Sequence, residues 1–128
     1  MLFRSTARLP HNYDTQLGRG FLDATELSVG EWQRLALARA TVRQAQILIL
    51  DEPTSAMDPW AELRWAERLH EIAANRTTIL ITHRFTTAMF ADVIHVMSEG
   101  HVVESGSHAQ LLVKGGVYAE GWASRARL

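Results

Sequence analysis

Cysteine is absent from the 128 residues, which excludes disulfides and thiolate metal ligation and leaves the redox compartment open. Long apolar runs are absent too. The longest purely aliphatic stretch is "ILIL", Ile47 to Leu50, whereas a spanning helix needs about 20 apolar residues, so no direct membrane span is expected. A surplus of one charge is also missing. The formal net charge is −1 and the arginines are scattered, which argues against a nucleic-acid footprint or a polybasic membrane patch. Lysine occurs once, as Lys114 in "VKGGV".

What is present suits one folded domain or a piece of one, since 47% of the residues are apolar. The opening "MLFRSTARLP" has arginines, a serine and no acid, as transit peptides do. It is short, and the end of an amphipathic helix is the better reading. Residues 9–26 are rich in turn formers and read as a surface loop. A helix is expected from about Ser28 to Arg43, because Trp32, Leu35, Ala38 and Val42 recur at helical spacing and Ser28 with Glu31 fits a capping box.

"ILIL" then reads as a strand buried on both faces. Asp58 and Pro59 resemble an N-cap with proline in the first helical position. The helix they start would set Leu63, Ala66, Leu69 and Ala73 on one face, with Arg64, Glu67, Arg68 and Glu71 towards solvent. "TTILIT" is a second buried strand, Phe85–Ala91 a short helix, and "VIHVMS" a third strand. Glu99-Gly100 turns the chain into "HVVES" as a hairpin, and Ser107 with Gln110 forms another capping box. Strands alternating with helices predict an α/β fold, a parallel sheet with an antiparallel edge. Ligands of such sheets lie at the carboxyl ends of the strands.

Chemistry-bearing residues stand at those ends. Asp51 and Glu52 leave the aliphatic strand together, and carboxylates at the lip of a dry strand cost free energy unless a cation, water or substrate compensates. One could hold Mg²⁺ through water and the other deprotonate an attacking water; alternatively Asp51 is a turn cap and Glu52 is solvated. His83 ends the second strand, where it could contact a phosphate or serve structure alone. The remaining histidines form no metal constellation, and a simple two-residue turn would set His95 opposite Glu104. At the start of the first helix, Gly30 removes a side chain and Ser28 offers a hydroxyl. Free N–H groups there favour a phosphate-like anion, while a plain capping box explains the same residues.

In this order the motifs resemble the nucleotide-binding domain of ATP-binding cassette (ABC) transporters. "LSVGE" (27–31) is similar to the family signature, usually LSGGQ, and "QRLALARA" continues it. "ILILDE" resembles the Walker B strand with its catalytic glutamate, "SAMD" the D-loop, and "TH" the switch histidine. "LPHNYDTQLG" resembles the segment before the signature in exporter-type members, and "SEGHVVESGSHAQLL" the hairpin and helix after the switch.

The resemblance implies a partial P-loop NTPase-like core with parallel strands flanked by helices. Residues 1–44 would belong to the helical subdomain and 45–128 to the C-terminal part of the catalytic core. Ser28 and Gly30, with Glu31 beside them, would meet the γ-phosphate of ATP held by a second nucleotide-binding domain. Asp51 would hold Mg²⁺ through water, Glu52 would be the general base, Asp58 would belong to the D-loop between the two sites, and His83 would contact the γ-phosphate. Transmembrane domains would be the other partner, with the chain peripheral at the cytoplasmic face of the membrane. Val29 and Glu31 depart from the usual glycine and glutamine, so a modest weakening of nucleotide sandwiching is expected.

No G-x-x-x-x-G-K-[S/T] occurs among these residues, so ATP binding by this chain alone is expected to be poor. The Q-loop and the adenine-stacking aromatic would lie upstream of Met1. The chain is therefore expected to be roughly the second half of such a domain, marginally stable and prone to self-association through an uncovered sheet edge. Two readings follow: the ATPase half of an exporter, or a remnant without autonomous ATP binding or hydrolysis. A nucleic-acid-directed ABC ATPase fits less well, given the exporter-like "YDTQLG" and the lack of a basic face.

Overall fold

The computed structural model describes residues 6–20 and 22–125. Most of the amphipathic helix end expected at the start of the chain lies outside them. Residues 9–20 and 22–26 form a loop with one 3-10 turn, Asn12–Asp14, and an isolated bridge between Leu17 and Thr25. Helix α1 then spans Val29–Val42. Its capping box is complete: Ser28 Oγ accepts the Glu31 N–H at 3.3 Å, and Glu31 Oε2 accepts the Ser28 N–H at 2.9 Å.

Strands β1 (Ile47–Asp51) and β2 (Thr77–Ile81) pair in parallel, Ile49 against Ile79. Between them lie α2 (Pro59–Glu67), capped by Asp58, and the short α3 (Leu69–Ala73). Helix α4 (Phe85–Ala88) follows β2, then the hairpin β3 (Ile94–Ser98) and β4 (His101–Gly106). Helices α5 (His108–Lys114) and α6 (Val117–Arg125) complete the described chain.

Two small cores result. Leu48, Leu50 and Leu69 are buried, with Leu37, Ala40, Trp65, Ile72, Leu80 and Phe90 against them. Ile94, Leu111 and Tyr118 form the other, with Phe85 and Val96 among the residues packed on it. Close backbone approach tightens this second core. A Cβ at Gly116 would lie 1.7 Å from Glu104 Oε1, and one at Gly121 would lie 2.5 Å from Phe85 Cζ. The buried Glu104 accepts the Tyr118 N–H at 3.0 Å.

Four expectations need correction. The antiparallel strands do not extend the parallel pair; they form a separate two-stranded sheet. The parallel strands are not buried on both faces, because helices cover only the Leu48–Leu50 side and leave Ile47, Ile49, Ile79 and Ile81 about half exposed or more. Helix α1 packs through Leu37 and Ala40, whereas Trp32 and Val42 are exposed; apolar residues occur all around it, so spacing did not single out one face. In the hairpin, a bulge after Val96 sets His95 opposite Ser105, not Glu104, since the extra residue shifts the register by one. His95 Nδ1 accordingly lies 3.0 Å from Ser105 Oγ.

Candidate functional site

The site is built at the carboxyl ends of β1 and β2. The Glu52 N–H donates to the Ile81 carbonyl at 2.9 Å, which carries the parallel pairing one residue past Asp51. Glu52 itself adopts φ +45°, a left-handed conformation for a residue with a Cβ. Such a backbone costs of order 1–3 kcal/mol and is found at functional sites. It turns the chain out of the strand, and Ser55 N–H closes the turn on the Glu52 carbonyl at 3.1 Å.

The strained residue meets His83. Glu52 Oε1 lies 2.7 Å from His83 Nδ1 and also accepts the His83 backbone N–H at 3.1 Å. The second carboxylate oxygen, Oε2, is buried and has no hydrogen-bond partner among the protein groups described. One oxygen is thus fixed by His83, and the other retains its full accepting capacity in a sheltered place. Asp51 is adjacent and exposed. Hard carboxylate oxygens of this kind suit Mg²⁺, which keeps several waters. No group of three or more His, Cys, Asp or Glu side chains arranged to hold a metal occurs among the described residues.

Helix α1 is keyed to this turn by Gln33. Its side-chain amide donates to the Glu52 carbonyl and to Ser55 Oγ, both at 2.9 Å, and its carbonyl accepts the Ala56 N–H at 3.1 Å. Gly30 lies near the same turn: a Cβ there would sit 3.4 Å from the Ala56 carbonyl oxygen. Ser28 is exposed and Glu31 half-buried at the helix start. Ser28 Oγ–H donates to Glu31 Oε2 at 2.7 Å, and the hydrogen bonds from the Ser28 hydroxyl and then its N–H hold the Glu31 carboxyl below its ordinary range. Asp58 caps α2 through the Ala61 N–H at 2.9 Å.

Sequence reasoning missed two groups. Gln33 stands five residues after Ser28 in line with Leu37 and Ala40, the packed side of α1. Glu62 is the other. It shares the buried face of α2 with Ala66, while Leu63, expected on that face, is 40% exposed. A charged residue four before Ala66 and seven before Leu69 was the available signal. Glu62 pairs with the Arg84 guanidinium and accepts the hydroxyls of Thr86 at 2.7 Å and Thr87 at 2.8 Å. Burial pushes its carboxyl up, but the bonds from Thr86, Thr87 and Arg84 outweigh this and leave it below the ordinary range.

Parallel strands covered by helices on one face, with carboxylates and a histidine at their carboxyl ends, make this a partial P-loop NTPase-like α/β core. The family model described as "ABC transporter" matches residues 3–55. The chain is 50% identical over 112 residues to the ATP-dependent lipid A-core flippase of Aromatoleum aromaticum, covering 88% of this chain and 18% of that protein. It is 45% identical over 120 residues to the ATM1-type heavy metal exporter of Novosphingobium aromaticivorans, covering 94% and 19%. The solved structure of a bacterial Atm1-family ABC exporter with ATP bound superposes with a TM-score of 0.80 at 42% identity, over 96% of this chain and 21% of that one.

The chain matches part of an exporter-type ABC transporter nucleotide-binding domain. Members of this family bind ATP and are generally ATPases. The chain spans less than a fifth of the length of these curated relatives.

Proposed function

We propose that the chain is the signature-and-Walker-B half of an exporter ATPase, which hydrolyses ATP at an interface with a second nucleotide-binding domain and couples it to transport by transmembrane domains. The observation that carries this reading is the Glu52–His83 contact at the ends of two paired parallel strands. Glu52 is the general base, its Oε1 held by His83 and its Oε2 left to take a proton from water. His83 positions that carboxylate and contacts the γ-phosphate through the rest of its ring. Asp51 would hold Mg²⁺ through water, and the ion would supply charge neutralisation at the phosphates.

Ser28 and Gly30 present the N-terminus of α1 to the γ-phosphate of a nucleotide held opposite, with Glu31 beside them. The capping box orders that helix end, and Gln33 fixes it to the turn after Glu52, so the two half-sites on one chain are mechanically joined. Asp58, at the start of α2, belongs to the D-loop of the same turn. Residues 1–44 contribute to the helical subdomain and 45–128 to the catalytic core, at the cytoplasmic face of the membrane.

These 128 residues contain no G-x-x-x-x-G-K-[S/T] loop, and the chain by itself is therefore expected to turn over no ATP. Phosphate release with Mg-ATP tests the reading in two settings. The purified chain should be inactive. A chimera in which these residues replace the matching segment of the Atm1-family exporter should hydrolyse ATP. An inactive chimera that folds and binds ATP would favour a remnant without catalytic competence.

A further inference from the structure

His83 is held on Glu52 although its side chain is 66% exposed, so packing around the ring does not fix it. Order must come from the backbone on either side. Before it, Thr82 Oγ1 accepts the Arg84 N–H at 3.0 Å. After it comes α4, a helix of four residues whose N-cap, Arg84, makes no side-chain capping bond. So short a helix is unstable alone. Phe85 packs one side of it on Tyr118 and Trp122, at 5.3 and 6.2 Å between ring centroids, and its polar side is anchored by a single carboxylate. Glu62, 5% exposed on α2, receives the Arg84 guanidinium and the hydroxyls of Thr86 and Thr87. The other arm of Arg84 reaches back, Nη2–H donating to the Ser55 carbonyl at 3.3 Å, in the turn that begins with Glu52.

We propose that Glu62 and Arg84 are a positioning pair: the buried carboxylate and the forked guanidinium clamp the segment carrying His83 to the turn carrying Glu52, and so hold the imidazole on the carboxylate. Buried ion pairs contribute little net stability compared with apolar packing, whereas a guanidinium fork sets geometry in two directions at once. The proposal rests on the reading of Glu52 and His83 as the reacting pair. Its contacts, however, can be followed without ATP.

The test is amide hydrogen exchange by NMR on the 128-residue chain, wild type against Glu62→Gln, which keeps size and an acceptor but removes the charge. The His83 N–H, bonded to Glu52, should exchange about tenfold faster while β1 and β2 amides change less than about twofold, and the nuclear Overhauser contact between His83 and Glu52 should weaken. Unchanged His83 exchange in a folded Glu62→Gln chain would overturn the proposal. If Glu62→Gln unfolds the chain, Arg84→Lys decides, since lysine keeps the charge but cannot bridge Glu62 and Ser55 together. Faster exchange confined to His83 and α4 supports the clamp. No change, or global loss with both variants, overturns it in favour of a purely structural ion pair. Because ATP turnover is measured separately, the clamp can stand where the ATPase reading fails, and the reverse.

Discussion

His83 meets Glu52 twice on the same oxygen: Nδ1 lies 2.7 Å from Glu52 Oε1 and the His83 backbone N–H donates to it at 3.1 Å. Removing the ring therefore leaves the backbone bond in place and loosens the carboxylate without releasing it. In the exporter chimera, His83→Ala should lower kcat by about 10²-fold, the usual scale for a group that positions a general base, with a much smaller change in ATP affinity. Steady-state phosphate release with direct nucleotide binding checks this.

Glu31 occupies the hydroxyl of Ser28, whose Oγ–H donates to Glu31 Oε2 at 2.7 Å. A serine so engaged has to turn away from its own cap to donate to phosphate. Glu31→Gln keeps an acceptor for the Ser28 N–H and removes a negative charge from the helix start. ATP-dependent association of the chimera's nucleotide-binding halves should strengthen several-fold on this change. Ser28→Ala should weaken the association and cost the chain about 1 kcal/mol as a lost N-cap.

Burial pushes the Glu62 carboxyl up, but the hydrogen bonds from Thr86, Thr87 and Arg84 outweigh it and hold the group below the ordinary carboxylate range. A carboxyl depressed in the folded state contributes stability that is full above the unfolded pKa and is lost as pH falls through the folded one. Acid titration followed by circular dichroism should show wild type losing stability below about pH 4.5 more steeply than Glu62→Gln, for which this contribution is absent.

Ile47, Ile49, Ile79 and Ile81 share the uncovered face of the parallel pair, with Ile49 and Ile79 side by side in the register. An apolar patch of this kind promotes association. Sedimentation of the purified chain should show concentration-dependent oligomers, and Ile49→Lys should reduce them. A monomer at all concentrations with a sharp cooperative melt would contradict this expectation.

The local elements were legible because their signals are local. Ser28 with Glu31, Asp58 with Pro59, and Ser107 with Gln110 each close a cap within one helical turn, and the spacing of such residues is visible in the chain itself. Which face each element buries was not. Helix α1 is apolar on several sides, so the rotation that packs Leu37 and Ala40 had to come from tertiary contact. Glu62 was hidden for a related reason: its partners Arg84, Thr86 and Thr87 lie more than twenty residues away, and helical periodicity alone assigns a glutamate to solvent. The bulge in the hairpin likewise moved His95 onto Ser105, because no turn rule counts an extra residue inside a strand. Glu52 and His83 were each recognisable at a strand end, but their contact depends on the left-handed backbone at Glu52.

The central claim is that Glu52 performs the chemistry while other groups bind the nucleotide. Single-turnover hydrolysis of Mg-ATP by the exporter chimera, with and without Glu52→Gln, tests it most directly. The account predicts that the substitution lowers the hydrolytic rate by at least about 10²-fold while ATP binding persists. Hydrolysis by the Glu52→Gln chimera at the unsubstituted rate would contradict it.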